Sequence, residues 1–216
     1  MNMKKIYTVA LVAFFASGTL LAQTTYEEAQ KTLKKDKNAI KIARKDAKKW
    51  EKQGYINLPG NLPLEKQFER AMVMQLMVDD QGGTRFVAAN GSAIAGSEGV
   101  AQANAIDNAR VALAGQLQAK VTALISNNKA NSGFTATELE TIDEFISKSK
   151  TLIQNEIGPI DPVIEMMRKV EDKFEYRFIV LYDVLVARKL TKEIIEKEMI
   201  QSISANEDEL NKLLGL

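Results

Sequence analysis

Three stretches of this 216-residue chain carry residue types and spacings that could do chemistry. The first runs from Ala88 to Ala105, where an apolar stretch meets Gly91, then Gly96, and a helical pattern follows. That is the outline of a strand–loop–helix phosphate cradle. A phosphate loop of this kind needs Lys and then Ser or Thr directly after its last glycine, the ammonium to neutralise phosphate and the hydroxyl to hold magnesium. Here Ser97-Glu98 follow Gly96, and a carboxylate in the ammonium's place repels phosphate. The spacing also misses the dinucleotide fingerprint. The small residues are better read as packing: Gly91, Ala93, Ala95 and Gly96 let a helix carrying Ala101, Ala105 and Ala109 lie close on the strand before it.

The second stretch, Ser147-Lys148-Ser149-Lys150, fits a serine nucleophile with a lysine base one helical turn on. Ser126 to Lys129 fits equally well, and no Ser-Asp-Asn or Lys-Thr-Gly partner occurs, so both read as solvated helix surface. The third, Asp79-Asp80-Gln81-Gly82-Gly83, pairs two acids as at the start of a calcium loop. No twelve-residue ligand loop follows, and it reads as a turn.

The chain has no Cys and no His. The usual Cys/His zinc sites and all Ser-His-Asp or Cys-His catalysis are therefore excluded. Carboxylate pairs for glycoside hydrolysis stay open, but aromatics make up 6% of the chain and Trp50 is its one tryptophan, a poor stock for sugar platforms. No catalytic residue, metal ligand or cofactor is assigned. The chain reads as a non-enzymatic protein, with a hydrolase of envelope polymers using carboxylates or Lys as the alternative.

The amino terminus carries the strongest signal. Lys4 and Lys5 precede an apolar run from Ile6 to Leu21, and Leu20-Leu21-Ala22 precede Gln23. This reads as a secretory signal over residues 1–22, cleaved between Ala22 and Gln23, too short for a membrane span. The expected location is the periplasm or exterior of a Gram-negative bacterium. Gln23 stands where a lipoprotein has its lipidated Cys, so no stable membrane anchor is expected. Losing Lys4 and Lys5 turns a formal charge of +1 into −1, which argues against nucleic acid as a partner.

The elements that would position these residues follow from periodicity. Residues 26–53 read as one helix with a narrow apolar stripe of Leu33, Ile40, Ala43, Ala47 and Trp50, ended by Gly54. Its basic residues include Lys34, Lys41, Lys45, Lys48 and Lys52, offered as contacts for an anionic lipid or polymer surface. The plainer reading is a solvated helix laced with i,i+4 ion pairs. A turn-rich connector over 58–63 leads through Pro63 into a second helix to about residue 78. Its Met72 and Met77 read as core fillers rather than groove lining. Residues 84–94 form a strand, one long strand being preferred over a hairpin at Asn90-Gly91. Helices over 98–127 and 135–155 follow, the second opened by a capping box at Thr135-Ala136-Thr137-Glu138. Strands over 163–170 and 174–183 then form a hairpin, with a last helix from 184 to about 204.

The expected fold is thus α+β: a small antiparallel sheet in the order strand, helix, helix, strand, strand, with helices on one face. The expected divisions are a signal peptide (1–22), a helical amino-terminal region (23–83), an α+β core (84–190), and a carboxy-terminal helix with an acidic tail (191–216). A free sheet edge offers a route to homo-oligomers.

The stretch from Gly91 to Val121, with Gly96, Glu98, Ala101, Ala105, Ala109-Arg110, Leu113 and Leu117, resembles the LPP-type bacterial outer-membrane lipoprotein family. That family's relatives are the amino-terminal domain of flagellar assembly protein T and the tumour-necrosis-factor-inducing proteins. The segment Tyr176 to Tyr182 is similar to the family's closing strand. The resemblance spans about residues 84–187 and implies a strand-helix-strand-strand envelope domain without known catalysis. The chain as a whole is expected to act by binding or assembly, with an envelope protein or polymer as partner. It brings no functional residues with it.

Overall fold

The computed structural model describes residues 25–35, 37–79, 82–129 and 136–203. The elements run α1 (Tyr26–Lys35), α2 (Lys37–Lys52), β1 (Ile56–Asn57), α3 (Leu64–Gln75), β2 (Phe86–Ala95), α4 (Glu98–Lys129), α5 (Ala136–Glu156), β3 (Pro162–Val170), β4 (Lys173–Asp183) and α6 (Val184–Ile203). The α+β class and the order β2-α4-α5-β3-β4 match the reading of the sequence. The signal segment with Ala22 and Gln23, the Thr135 capping residue and the acidic tail lie outside the described residues.

Two compact units can be drawn. The larger holds the described residues 25–113 with Pro159–Val184. The boundary expected at residue 83 falls inside it, because α1, α2 and α3 share a core with the sheet. The run expected as one helix over 26–53 is described as α1 and α2, on either side of Asp36. A capping box opens α1: the Thr25 backbone N–H donates to Glu28 Oε2 at 2.8 Å, and the Glu28 N–H donates to Thr25 Oγ1 at 3.3 Å. The Thr25 backbone N–H and the Thr25 hydroxyl, both donating to Glu28 Oε2, hold this exposed carboxyl below its ordinary pKa. Gly54 closes α2 with φ +87°, its N–H donating to the Glu51 carbonyl at 2.9 Å, as a C′ glycine should.

The sheet order is β1-β3-β4-β2, all antiparallel. Strand β1 was not expected. Its two residues lie between the helix end at Gly54 and the connector over 58–63, too short for any alternation to show. Strand β2 is continuous through Asn90-Gly91 and pairs with β4 from Phe86↔Asp183 to Ala95↔Phe174. The long-strand reading is the one observed. The pair Asp79 and Gly83 closes a turn, with the Gly83 N–H donating to Asp79 Oδ1 at 2.7 Å and Val78 bridged to Thr84.

Cross-strand partners share a face. On one face, Ile179 and Leu181 of β4 with Phe86 and Ala88 of β2 meet Ala47, Leu64, Phe68 and Ala71 from α2 and α3. On the other, Gly91 opposes Phe178 and lies directly under Ala105 and Ala109 of α4. Helices therefore cover both faces, where one helical layer was expected. The reason lies in β4, whose second face carries Ile179 and Leu181 after Glu175 and Arg177 and so needs cover of its own. Two side-chain bonds tie α4 to the sheet: Asn108 Nδ2 donates to the Ser92 carbonyl and Gln102 Nε2 to Glu165 Oε1, each at 2.9 Å. Ala101, Ala105 and Ala109 are fully buried, as the small-residue reading requires. Gly96 plays no part in this packing, since a Cβ there meets nothing within 4 Å.

The second unit holds Ala114–Gly158 and the described residues 185–203. It is helical. Leu117, Val121 and Ile125 of α4, Ile142, Phe145 and Ile153 of α5, and Ala187, Ile194 and Ile195 of α6 are buried. Gln118 Nε2 donates to the Ile146 carbonyl at 3.2 Å, linking α4 to α5.

Candidate functional site

The lysines singled out in the sequence fall on two described helical segments. Lys34 stands on α1, and Lys41, Lys45, Lys48 and Lys52 on α2. On α2 they step by four, three and four, which places them in one stripe about 16 Å long. The stripe lies opposite the buried Ala43 and Ala47. All five side chains are exposed, and among the described residues none pairs with a carboxylate. Arg44 on α2 is engaged instead, its Nε lying 2.8 Å from both Glu65 and Glu69. The expected lacing of i,i+4 ion pairs is absent from these lysines, and the sequence shows why: at three and four residues from the four α2 lysines the one acid is Glu51, three beyond Lys48. Like charges one turn apart oppose the helix by a few tenths of a kcal/mol each. Packing of the opposite face must hold it.

The serine motif is solvated surface only in part: Ser149 is buried, its hydroxyl donating to the Ile146 carbonyl at 2.8 Å. Ser147 is exposed, and its hydroxyl donates to the Glu144 carbonyl at 2.7 Å.

Two polar clusters were not legible beforehand. In the first, Glu175 is buried between two guanidiniums: Arg168 Nε donates to its Oε2 at 2.7 Å and Arg177 Nη2 to its Oε1 at 3.2 Å. Arg177 Nε also donates to the Tyr55 hydroxyl at 2.7 Å, and Arg168 Nη1 to the Gln53 carbonyl at 3.0 Å. The guanidinium of Arg168 lies 4.7 Å from the Tyr55 ring centre and that of Arg177 5.0 Å from Trp50. Burial pushes the Glu175 pKa up, but hydrogen bonds from Tyr55 and Arg168 and the charges of both arginines outweigh it, and the carboxyl sits below its ordinary range. This cluster locks the α2 terminus and Tyr55 onto the sheet. In the second, the buried Glu165 accepts from Asn61 Nδ2 at 2.7 Å and Gln102 Nε2 at 2.9 Å, while its own N–H donates to Gln67 Oε1 at 2.7 Å. The nearby Tyr176 hydroxyl is buried without a hydrogen bond. Burial, then the Glu165 and Glu98 charges, push its pKa up.

A cavity of about 400 Å³ is lined by Tyr26, Arg70, Met74, Met77 and Phe86. The capping box of α1 places Tyr26, α3 supplies Arg70 and Met74, and the start of β2 supplies Phe86. Met77, read from the sequence as a core filler, is buried yet also lines this wall. Arg70 was missed, although a signal existed: no acid stands three or four residues from it on either side. Among the described residues, no group of three or more acids is placed to hold a metal ion, and no helix is long and apolar enough to cross a membrane. No protein-family model, curated protein or solved structure matches the chain.

Proposed function

We propose that this is an exported, non-enzymatic protein of the bacterial cell envelope that works by binding, with the α2 lysine stripe as its contact to an anionic envelope surface or polymer. The observation that carries the reading is the stripe itself: Lys41, Lys45, Lys48 and Lys52 are exposed, aligned and free of carboxylate partners among the described residues. The opposite face of α2 packs on the protein's own core, so α2 cannot bury an apolar face in lipid. It would touch a surface by charge alone. The basic n-region, apolar run and Ala22-Gln23 junction support export. The likeness of residues 84–187 to LPP-type envelope domains belongs to the same reading and rests on the Gly91–Val121 spacing.

A lysine at an anionic membrane surface contributes about 1 kcal/mol, so four contribute roughly a thousandfold in partitioning. Co-sedimentation with vesicles of phosphatidylglycerol, and with phosphatidylcholine as control, tests this at two salt concentrations. Binding to the anionic vesicles should weaken in high salt and be lost when Lys41, Lys45, Lys48 and Lys52 are all changed to Gln. Binding that survives the four changes would remove the stripe as the contact.

A further inference from the structure

We propose that the cavity beside α1 and α3 binds a small amphiphilic monoanion: an apolar chain or ring bearing a single anionic head, with Arg70 receiving the head and Met74, Met77 and Phe86 the tail. It is a groove open to solvent, and its volume of about 400 Å³ is of the order of small-molecule sites, roughly 300–1,000 Å³. Four of its five lining residues present apolar or aromatic surface, and Arg70 is the only charged one. Methionine walls adapt to a chain of irregular shape. The wall's charge is uncommitted: Arg70 is exposed, and it has neither an ion pair nor a hydrogen bond among the described residues. Arg85, next to the lining Phe86, shows the contrast. Its Nε lies 3.0 Å from Asp183 Oδ2 and its guanidinium 5.7 Å from the Phe86 ring centre, so its charge is already balanced.

A guanidinium on an apolar wall selects by sign. It attracts a carboxylate, sulfonate or phosphate ester, gains far less from a neutral head and repels a cation. The tail fixes the class as amphiphile rather than free inorganic anion, because inorganic phosphate would leave the methionine and phenylalanine surface uncovered. The site is separate from the lysine stripe, none of whose members lines it.

The test is calorimetric titration of the full chain with decanoate below its micelle concentration, beside decanol and decyltrimethylammonium of equal chain length. Decanoate should saturate at one per chain and bind at least tenfold more tightly than either control. Arg70→Gln should erase that preference, Arg70→Lys should keep part of it, and Met74→Trp should block all three ligands by filling the cavity. Arg70 is exposed and unpaired, so its variants should retain the parent circular dichroism spectrum. The four-lysine variant should bind decanoate as the parent does. Displacement of decanoate by phosphatidylglycerol vesicles would assign the head to a membrane lipid, and no displacement would assign it to a free acid; both agree with the proposal. Equal binding of the three ligands, or an unchanged decanoate affinity in Arg70→Gln, would overturn it.

Discussion

Changing Gly91 to Ala tests how the sheet and α4 are held together. A Cβ built on Gly91 would lie 1.9 Å from the Ala105 carbonyl oxygen, 2.5 Å from the Ala109 nitrogen and 2.9 Å from the Ala109 Cβ. Carbon rests at about 3.3 Å or more from such an oxygen, so strand and helix must part by more than about 1 Å. Two of the three opposing atoms are backbone, and no rotamer change relieves them. A gap of about 0.5–1 Å already forfeits a quarter to a half of the dispersion attraction across an interface. Ala101, Ala105 and Ala109 are fully buried there, and the Asn108–Ser92 and Gln102–Glu165 bonds span it. Overpacking typically costs about 1–3 kcal/mol, and backbone overlap places this case near the top, at about 3 kcal/mol. With a urea slope of about 2 kcal/mol per molar, the unfolding midpoint should fall by about 1.5 M. Far-ultraviolet circular dichroism during urea titration reads it. Gly96→Ala is the control: a Cβ there meets nothing within 4 Å, and stability should stay within about 0.5 kcal/mol of the parent. A loss below about 1 kcal/mol in Gly91→Ala, or an equal loss in Gly96→Ala, would refute the close-packing argument.

Three further outcomes are expected. Glu175→Gln should lower stability at pH 7 by about 2 kcal/mol, since it removes charge-assisted hydrogen bonds from Arg168 and Arg177. The folded-state pKa of Glu175 is depressed, so its contribution is present above the unfolded carboxyl pKa and is lost as pH falls through the folded one. Parent and variant urea curves should therefore converge in acid, and a gap that stays constant down to the acid limb would contradict the linkage. Tyr176→Phe removes a buried hydroxyl without a partner and should raise stability by about 1 kcal/mol in thermal unfolding; a drop in melting temperature would show a hydrogen bond unaccounted for. The four-lysine change to Gln should leave the fold as stable as the parent or stabilise it slightly, because it relieves repulsion along α2, even as it abolishes vesicle binding. Destabilisation above about 1 kcal/mol would show the lysines to be structural.

Much of the fold was legible because it follows local periodicity. Alternation through Phe174, Tyr176, Phe178 and Val180 announced β4, and the alanine steps after Ser97 announced the buried face of α4. Less legible was where one packed unit stops. The short stretch between Gly54 and the connector hides β1, because a two-residue strand exists only by pairing Ile56 and Asn57 with Met167 and Met166. Residues 26–53 read as set apart from the core because their apolar stripe is narrow. The stripe nonetheless suffices, since the sheet face it meets supplies Ile164, Met166 and Leu181.

The same division governs the sites. Residue type and spacing determined what the chain cannot do with Cys or His, dismissed the phosphate cradle through Glu98, and placed Lys41, Lys45, Lys48 and Lys52 on one face, since a helix maps steps of three and four onto a line. Tertiary structure decided which charges are spent and which are free. Arg177 meets Tyr55 across 122 positions of sequence, and Arg85 meets Asp183 across 98, while Arg70 is left on the wall of a cavity assembled from α1, α3 and β2. No local pattern encodes such meetings, because they depend on which surfaces the hydrophobic core brings into contact.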